Sequence, residues 1–349
     1  MKLRFSFSYF ILLGTILPFG STNLHRSRTK QDNFNALVLE HHHLDDLHNS
    51  KDIWGRKDEL DNEIEDFTDD PKNLRLPLEV IPLHYFLEIT PILEENSNLG
   101  KLWTAPGNVK ILVEAMKPSQ IVTLHAVRLE ILKVKIINRS TGKNIKVVQH
   151  AQSALREDQY VITLKDELVV GEKYEISLDF VAPVSRNHPD GLYRSQYVDP
   201  ATKNVSYLAS TQFEFFSARQ AFPGFDEPAL KTPFDISIGR SSKFHSLSNS
   251  NLISTRPLKG SPGWFIDSFN TTVNMSTYLV ALVVSDFTFS EADSSIFNGK
   301  PVRVYGPKYL MDQGAGEFGA NVSAQALAFY EKYFELEYPL PKMDSGKYG

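Results

Sequence analysis

Short apolar runs separated by turn residues fill the middle of this chain and restrict its fold more than any other feature. Between Leu74 and about Phe289 the runs are VKILVEA, IVTLHAV, LEILKVKII, QYVITL, YEISLDFVA and STYLVALVV, with glycine, proline and asparagine between them. Short apolar runs bounded by such turn residues are typical of strands. Many short strands of this kind are typical of a β-sandwich, so we predict a mainly β fold.

Helical periodicity is concentrated near the carboxyl end. Five large apolar residues recur there at roughly helical spacing: Phe318, Val322, Leu327, Tyr330 and Phe334. This spacing predicts one amphipathic helix over 313–338. A short strand is predicted just before it, over 302–305.

Length and charge narrow the class of protein. The 349 residues, 42% of them apolar, can bury a sizeable core. A net charge of −5 argues against nucleic acid as a partner, because that binding is driven by basic surface. The sequence contains no glycine-rich loop of the kind that binds phosphate between a strand and a helix.

The segment Ser210–Pro228, STQFEFFSARQAFPGFDEP, carries the candidate site. On a strand, Gln212 and Glu214 would project from one face, and Phe213 and Phe215 from the other. An amide oxygen beside a carboxylate forms an acceptor-rich pocket suited to a positively charged amine with its three donors. Taken alone, the alternation is more typical of an exposed polar strand face, and both interpretations stay open at this point.

A turn and an acidic corner follow the candidate strand. Pro223-Gly224 is a turn signal, and Asp226-Glu227-Pro228 places two carboxylates before a residue that restricts the backbone. Arg219 could pair with this corner. Such a set of charges is usually structural, so we expect it to hold the loop rather than to react.

Several motifs, in order along the chain, resemble the aminopeptidase N family of zinc aminopeptidases. The central motif is TQFE, followed by SAR and AFPGFDEP. The other family-like stretches are LRLPLEVIPLHYFLEITP from Leu74, IVTLHAVRLEI from Ile121, GLYRSQY from Gly191, MSTYLVALVVSDF from Met275, and the closing YPLPKMD. The resemblance covers about 74–344, which is most of the chain.

The resemblance implies a fold and a set of domains. Residues 74–289 would form a saddle-like β-sandwich N-terminal domain. Residues 290–349 would begin a truncated thermolysin-like catalytic domain with its first strand and helix. In this family the sandwich lies over the catalytic domain and contributes to the pocket for the substrate's amino terminus.

The same resemblance assigns a role to two residues. Gln212 and Glu214 occupy the positions that match the family's amine-recognising residues. They would bind the ammonium group of peptides that have a free amino terminus. The acceptor chemistry of the two side chains agrees with this role.

Two local departures from the family pattern lie near the site. Gly224 stands where the family usually has cysteine, and we expect the glycine to loosen the turn. Phe215 and Phe216 stand where a proline and a small polar residue are more typical. We expect this second departure to alter the local backbone more than the pocket.

The family's catalytic motifs are missing from the sequence. The GxMEN loop and the zinc-binding HExxH helix, whose glutamate acts as the base, do not occur. We therefore expect no catalytic residue, no metal-binding residue and no cofactor in this chain. Zinc would belong to the complete family enzyme, and the chain alone would be inactive.

A histidine tract provides the one competing metal site. His41, His42, His43 and His48 lie in EHHHLDDLHN, and clustered histidines with nearby aspartates can bind metal. A catalytic zinc, however, needs ligands held on rigid elements by a second layer of contacts. The polar, acidic surroundings of this tract do not favour such support, so we expect no functional metal site there.

The amino-terminal sequence indicates export. Basic residues precede a mostly apolar run over Phe5–Phe19, which predicts a signal peptide over 1–21. The run is shorter than the roughly twenty residues of a membrane span, but an uncleaved signal anchor stays open. Residues 22–73 are acidic and polar, which predicts a disordered, solvated stalk.

Glycosylation sequons support the same route. They lie at Asn138, Asn204, Asn270, Asn274 and Asn321. Together with the signal-like start, they predict a glycoprotein of the secretory pathway, either extracellular or at the cell surface, with a membrane tether left open.

Three functions remain to be weighed. The favoured one is the substrate-amine-recognising part of a secreted or cell-surface zinc metallo-aminopeptidase that removes N-terminal amino acids from peptides. The alternative is a non-catalytic secreted module that binds peptides or a partner. An unrelated adhesion or lectin-like sandwich is disfavoured by the ordered set of motifs.

Overall fold

The computed structural model describes residues 75–95, 97–186 and 189–346, and Leu76 and all later described residues lie in one compact unit. The first nine strands are β1 (Val80–Ile89), β2 (Thr104–Ala115), β3 (Ser119–His125), β4 (Glu130–Asn138), β5 (Asn144–Ile145), β6 (Val147–Gln152), β7 (Gln159–Leu168), β8 (Lys173–Pro183) and β9 (Gly191–Val198). The next nine are β10 (Val205–Gln212), β11 (Phe234–Ser241), β12 (His245–Ser248), β13 (Leu252–Pro257), β14 (Trp264–Phe269), β15 (Leu282–Ser285), β16 (Thr288–Glu291), β17 (Val302–Gly306) and β18 (Met343–Gly346). The helices are α1 (Lys308–Met311) and α2 (Glu317–Phe334).

The prediction of a mainly β chain is confirmed. The predicted signal peptide, acidic stalk and histidine tract lie outside the described residues. The described residues form several sheets, an arrangement consistent with a β-sandwich.

The largest sheet has eight strands in the order β13-β14-β11-β1-β2-β8-β4-β5. Its neighbours are antiparallel except for β1 and β11, which run parallel with Tyr85 opposite Phe234. Strand β8 shows why the sheet forms, because alternate side chains along it are buried: Tyr174, Ile176, Leu178, Phe180 and Ala182. Burying apolar surface in this way stabilises the fold by about 25 cal/mol for each Å² removed from water.

Three smaller sheets complete the β structure of the described residues. One has the order β3-β7-β6, the second has the order β12-β15-β10-β9, and the third has the order β16-β17-β18. The second sheet carries the candidate site at the end of β10. In the third sheet β17 and β18 are parallel.

One of the six strand predictions is wrong over part of its length. STYLVALVV was predicted as a continuous strand, but Thr277–Leu279 form a 3-10 turn and only Leu282–Ser285 form a strand. The cause is a polar anchor, because the Thr277 hydroxyl donates a hydrogen bond to the buried carboxylate of Asp226. This contact holds the turn against the acidic corner.

The carboxyl-terminal part of the described chain is close to the prediction. The predicted strand 302–305 is β17, and the predicted helix 313–338 is the shorter α2. Backbone in the left-handed region flanks α2 at Gly314 and at Glu335, where the helix ends. No helix within the described ranges is long and apolar enough to cross a membrane.

Helix α2 packs through a different face from the one its large apolar residues suggest. The buried residues are Ala320, Ala324 and Leu327, which pack against the β17 side of a cluster that includes Val304 and Met343. Of the five periodic residues, only Leu327 is buried. The other four are exposed: Phe318, Val322, Tyr330 and Phe334.

Candidate functional site

The candidate site lies where β10 ends. Gln212 is the last residue of this strand and pairs with Gly191, the first residue of β9. The chain then turns, because the Ser217 N–H donates to the carbonyl of Phe213 at 2.8 Å. The turn presents Glu214, Phe215 and Phe216 to solvent.

Strand β10 therefore ends at Gln212, before Glu214 and Phe215, which were predicted to lie on the strand. Alternation holds through Gln212, Phe213 and Glu214, because Phe213 is buried while Gln212 is partly exposed and Glu214 exposed. It fails at Phe215, which was expected to share a face with Phe213 but is 74% exposed. The turn, with a cis peptide bond between Glu214 and Phe215, replaces the strand.

Gln212 and Glu214 keep their acceptor oxygens available. Within the ranges that the structure describes, no hydrogen bond or ion pair to another residue occupies either side chain. One buried residue separates them, so they leave the same end of the sheet. An ammonium group there could receive a charge-assisted contact from the carboxylate and a neutral one from the amide.

Phe213 anchors the turn in an aromatic cluster. Its ring meets that of Phe222 edge-on, with centroids 6.0 Å apart. Phe222 in turn contacts Tyr85, which stacks on Phe234 at 4.6 Å. Because these rings are buried, the root of the turn is fixed to the large sheet.

Gly191 brings the turn close to β9. Its φ is +77°, a left-handed value that glycine adopts readily, and a Cβ there would lie 2.9 Å from the Cβ of Gln220. A side chain at this position would therefore push away the 3-10 turn Ala218–Gln220. The glycine permits the close approach that places Gln212 beside this turn.

Arg219 pairs with the acidic corner, as predicted. Its Nε donates to Asp226 Oδ2 at 3.0 Å, and its other two nitrogens donate to the Asp226 carbonyl at 2.8 Å and to Asp158 Oδ2 at 2.7 Å. Asp226 is buried, so this ion pair is shielded from solvent. Glu227 accepts from the Leu76 N–H at 2.6 Å. The corner is therefore an anchor for the loop and for the start of the large sheet.

Gly224 is packed closely, and the expectation that it would loosen the turn is wrong. Its backbone exchanges two hydrogen bonds with His125, at 2.8 and 3.0 Å. A Cβ on Gly224 would lie 3.1 Å from the ring of Tyr85, whose hydroxyl accepts from the Phe225 N–H at 2.8 Å. A cysteine in this position would crowd Tyr85, so the glycine fits the turn to this chain's core.

His125 is a buried residue that sequence reasoning did not single out. Its Nε2 lies 3.9 Å from Asp158 Oδ2, and neither ring nitrogen has a hydrogen-bond partner among the residues described. Burial, together with the nearby Arg219 guanidinium, lowers the pKa of His125 to about 4. The only sequence signal was a histidine inside the otherwise apolar run of β3. We assign it a structural role.

The predicted sequons differ in accessibility. Asn204, Asn270 and Asn274 are exposed, and Asn321 is partly exposed on α2. Asn138 is 7% exposed, its Nδ2 donates to Glu172 at 2.8 Å, and its Oδ1 accepts from two backbone N–H groups. A glycan on Asn138 would displace these contacts, whereas one on Asn204 or Asn274 would not.

The described residues do not fit the zinc that the resemblance implies. Across 75–95, 97–186 and 189–346, no group of three or more histidine, aspartate or glutamate side chains is placed to hold a metal ion. We therefore derive no step through a metal.

Comparison with known proteins identifies the domain that carries this site. Residues 81–279 match the family model described as the Peptidase M1 N-terminal domain. This range includes Gln212, Glu214 and the Arg219 anchor.

Among the similar curated proteins are three aminopeptidases. Endoplasmic reticulum aminopeptidase 1 of Homo sapiens is 35% identical over 299 residues, covering 83% of this chain and 29% of that protein. Endoplasmic reticulum aminopeptidase 2 of Bos taurus is 36% identical over 278 residues, covering 78% and 27%. Aminopeptidase N of Oryctolagus cuniculus is 29% identical over 274 residues, covering 77% and 28%. The chain thus spans less than a third of the length of these relatives.

Proposed function

Because this chain belongs to the M1 peptidase family through that N-terminal domain, we propose that it forms the amine-recognising part of a zinc metallo-aminopeptidase. Such an enzyme removes N-terminal amino acids from peptides. The observation that carries the proposal is the pair Gln212 and Glu214, two available acceptors on an anchored turn. The names of the relatives, all aminopeptidases, support it.

Recognition follows from the chemistry of the two acceptors. A peptide's terminal ammonium has a positive charge and three donors, which the Glu214 carboxylate and the Gln212 amide oxygen complement. An internal peptide nitrogen has one donor and no charge. The pair would therefore favour the amino end of a peptide over its interior, and the anchored Phe213 would keep the acceptors at a fixed spacing.

Hydrolysis belongs to the complete enzyme in this proposal. The sequence has neither HExxH nor GxMEN, and we assign no catalytic residue to this chain. Its own residues bind and orient the amino terminus. We propose that it does not hydrolyse peptides alone.

We place the protein in the secretory pathway. The signal-like start and the exposed sequons support this location, and two relatives carry the endoplasmic reticulum in their names. We propose that it is either extracellular or held at the cell surface.

A second candidate function has one observation in its favour. A non-catalytic module that binds a partner would need an apolar surface, and α2 exposes several aromatic side chains, including Phe329 and Tyr333. Gln212 and Glu214 favour the first candidate, recognition of a peptide's amino terminus, because their acceptors suit a defined ligand, the ammonium group.

Binding of a small peptide tests the favoured function. We expect saturation-transfer difference NMR to show that this chain binds Leu-Gly-Gly and that N-acetylation of the peptide weakens binding at least tenfold. Glu214→Gln removes the charge with little change in shape and should weaken binding of the free peptide about tenfold. Equal binding of the free and acetylated peptides by the unmodified chain would overturn the proposal.

The matched control is Glu167→Gln. Glu167 is also an exposed glutamate, but it lies on β7, in a different sheet from the candidate site. This variant should bind both peptides as the unmodified chain does. An equal loss of affinity in the two variants would show that net charge, rather than the Glu214 carboxylate, governs binding.

A further inference from the structure

The most exposed aromatic pair beside the proposed amine site is Phe215 and Phe216. Their side chains are 74% and 63% exposed, whereas Phe213, two residues before Phe215, is 2% exposed. A monomeric protein gains nothing from holding two adjacent phenylalanines in water, so such a pair indicates a surface that contacts something else. The two rings follow directly after the Glu214 carboxylate in the chain.

The loop that carries these rings is anchored at both ends. At its start, Phe213 is buried against Phe222. At its end, Arg219 lies under the ring of Phe216, with the guanidinium carbon 5.6 Å from the ring centroid. Arg219 is itself held by Asp158 and Asp226. Phe216 therefore rests on a fixed cation and needs little further ordering when it binds a ligand.

The rings lie next to the proposed amine site in the chain. Phe215 and Phe216 are one and two residues beyond Glu214 on the same turn, and all three side chains are exposed. Each residue of an extended peptide spans at most about 3.6 Å, so the first and second side chains of a bound peptide lie within about two residue lengths of its ammonium. An apolar side chain at either peptide position is therefore within reach of residues that neighbour Glu214.

We propose that Phe215 and Phe216 form an apolar platform that contacts a large apolar side chain at the first or second position of the bound peptide. This inference rests on the proposed role of Gln212 and Glu214. The platform makes the chain prefer peptides that begin with leucine or phenylalanine over those that begin with glycine. It is a specificity determinant and takes no part in bond cleavage.

Two peptide comparisons test the platform separately from the amine site. With saturation-transfer difference NMR on the full chain, Phe-Gly-Gly should bind more tightly than Gly-Gly-Gly, and acetylation should weaken both. Phe215→Ser combined with Phe216→Ser should weaken binding of Phe-Gly-Gly by about threefold to tenfold and leave Gly-Gly-Gly unchanged. Both rings are largely in solvent, so these substitutions remove little buried surface, and the melting temperature checks that the fold is retained.

The control is Phe289→Ser. Phe289 is also a half-exposed phenylalanine against an arginine, since Arg303 lies 4.7 Å from its ring centroid, but it is on β16. This variant should leave both peptide affinities unchanged. A third variant, Phe216→Leu with Phe215 unchanged, keeps an apolar side chain. It should retain most of the preference for Phe-Gly-Gly over Gly-Gly-Gly.

Each result decides a different statement. An unchanged ratio of Phe-Gly-Gly to Gly-Gly-Gly affinity in the double serine variant, with discrimination against acetylated peptides intact, overturns the platform alone. It would mean that the rings contact another protein segment instead. If the unmodified chain binds free and acetylated peptides equally, or binds no free peptide, the proposed function is overturned and the platform with it.

Discussion

His125 is buried in a setting that opposes its protonation. Arg219 lies beside it, and the carboxylates of Asp158, Asp226 and Glu227 are too few and too well paired to compensate for the loss of water. The folded protein therefore holds this imidazole neutral down to about pH 4, whereas an unfolded histidine binds a proton near pH 6.5.

Acid should destabilise the protein through His125. Below pH 6.5 the unfolded chain binds a proton at this histidine, but the folded chain does not. The free energy of unfolding therefore has its full value above pH 6.5 and falls as the pH drops towards 4. The loss attributable to this residue should be about 2 kcal/mol at pH 5 and should approach about 3 kcal/mol near pH 4. Urea unfolding at pH 7.5 and pH 5 measures the first of these two values. His125→Leu should show a smaller loss between the two pH values than the unmodified chain.

An exposed histidine provides the control for that experiment. His245 lies on β12 and is exposed, so His245→Gln should keep the pH dependence of the unmodified chain. If His125→Leu loses as much stability between pH 7.5 and pH 5 as the unmodified chain and His245→Gln do, the pH dependence arises from the carboxylates instead.

Sequence reasoning found the residues of the site that are close together in the chain. Gln212, Glu214 and the pairing of Arg219 with Asp226 all lie within one segment, and the pairing is confirmed. The contacts of Arg219 with Asp158 and of Glu227 with the Leu76 N–H join residues 61 and 151 positions apart. Such contacts depend on how distant strands pair, which a single sequence does not encode locally. The amine-binding role stays a prediction.

Among the elements, the buried side of the strands was easier to predict than the buried side of helix α2. In β8 every second residue is apolar and buried, and all but Ala182 are large, so the period of two indicates both the strand and its core side. In α2 two of the three buried residues are Ala320 and Ala324, whose small side chains let the helix lie close to β17. Alanine adds little to an apolar pattern, so the larger aromatic residues dominated the periodicity although they lie in solvent.

The exposed aromatic face of α2 should cause this chain to self-associate. Phe329 and Tyr333 stack with centroids 5.8 Å apart and are 59% and 68% exposed. Replacing both with serine removes this stacked pair from the exposed face without touching the buried alanines. Sedimentation velocity on the full chain should show a shift towards monomer in the double variant.

A polar substitution on the same helix controls for general effects on α2. Gln325 is exposed, so Gln325→Ser should leave the sedimentation profile unchanged. Identical association of the unmodified chain and the Phe329→Ser, Tyr333→Ser variant would show that another surface is responsible.

At the scale of the molecule, the sequence given contains the proposed amine-recognising residues but neither HExxH nor GxMEN. The family model covers 81–279, and the relatives extend more than three times the aligned length. Gln212, Glu214 and the Arg219 anchor all lie inside the matched domain. The proposed division of labour places binding here and bond cleavage in the remainder of a complete enzyme.

The full chain should therefore show no aminopeptidase activity by itself. We expect no hydrolysis of leucine p-nitroanilide above background and much less than one zinc per chain, because no HExxH is present. Absorbance and elemental analysis of the purified full chain measure the two quantities. Turnover with near-stoichiometric zinc would contradict this, and its loss on replacing His41, His42 and His43 with alanine would identify the histidine tract as the metal site.

The anchoring of the turn also determines which substitutions it tolerates. Exchanging Arg219 would leave the buried Asp226 carboxylate without its ion-pair partner, whereas the side chains of Phe215 and Phe216 are 74% and 63% exposed. Mutation at the tip is therefore nearly free of folding penalty, while mutation at the base is not. In the proposed binding role, substitutions at Phe215 and Phe216 can therefore change what the turn contacts while the anchor beneath them is retained.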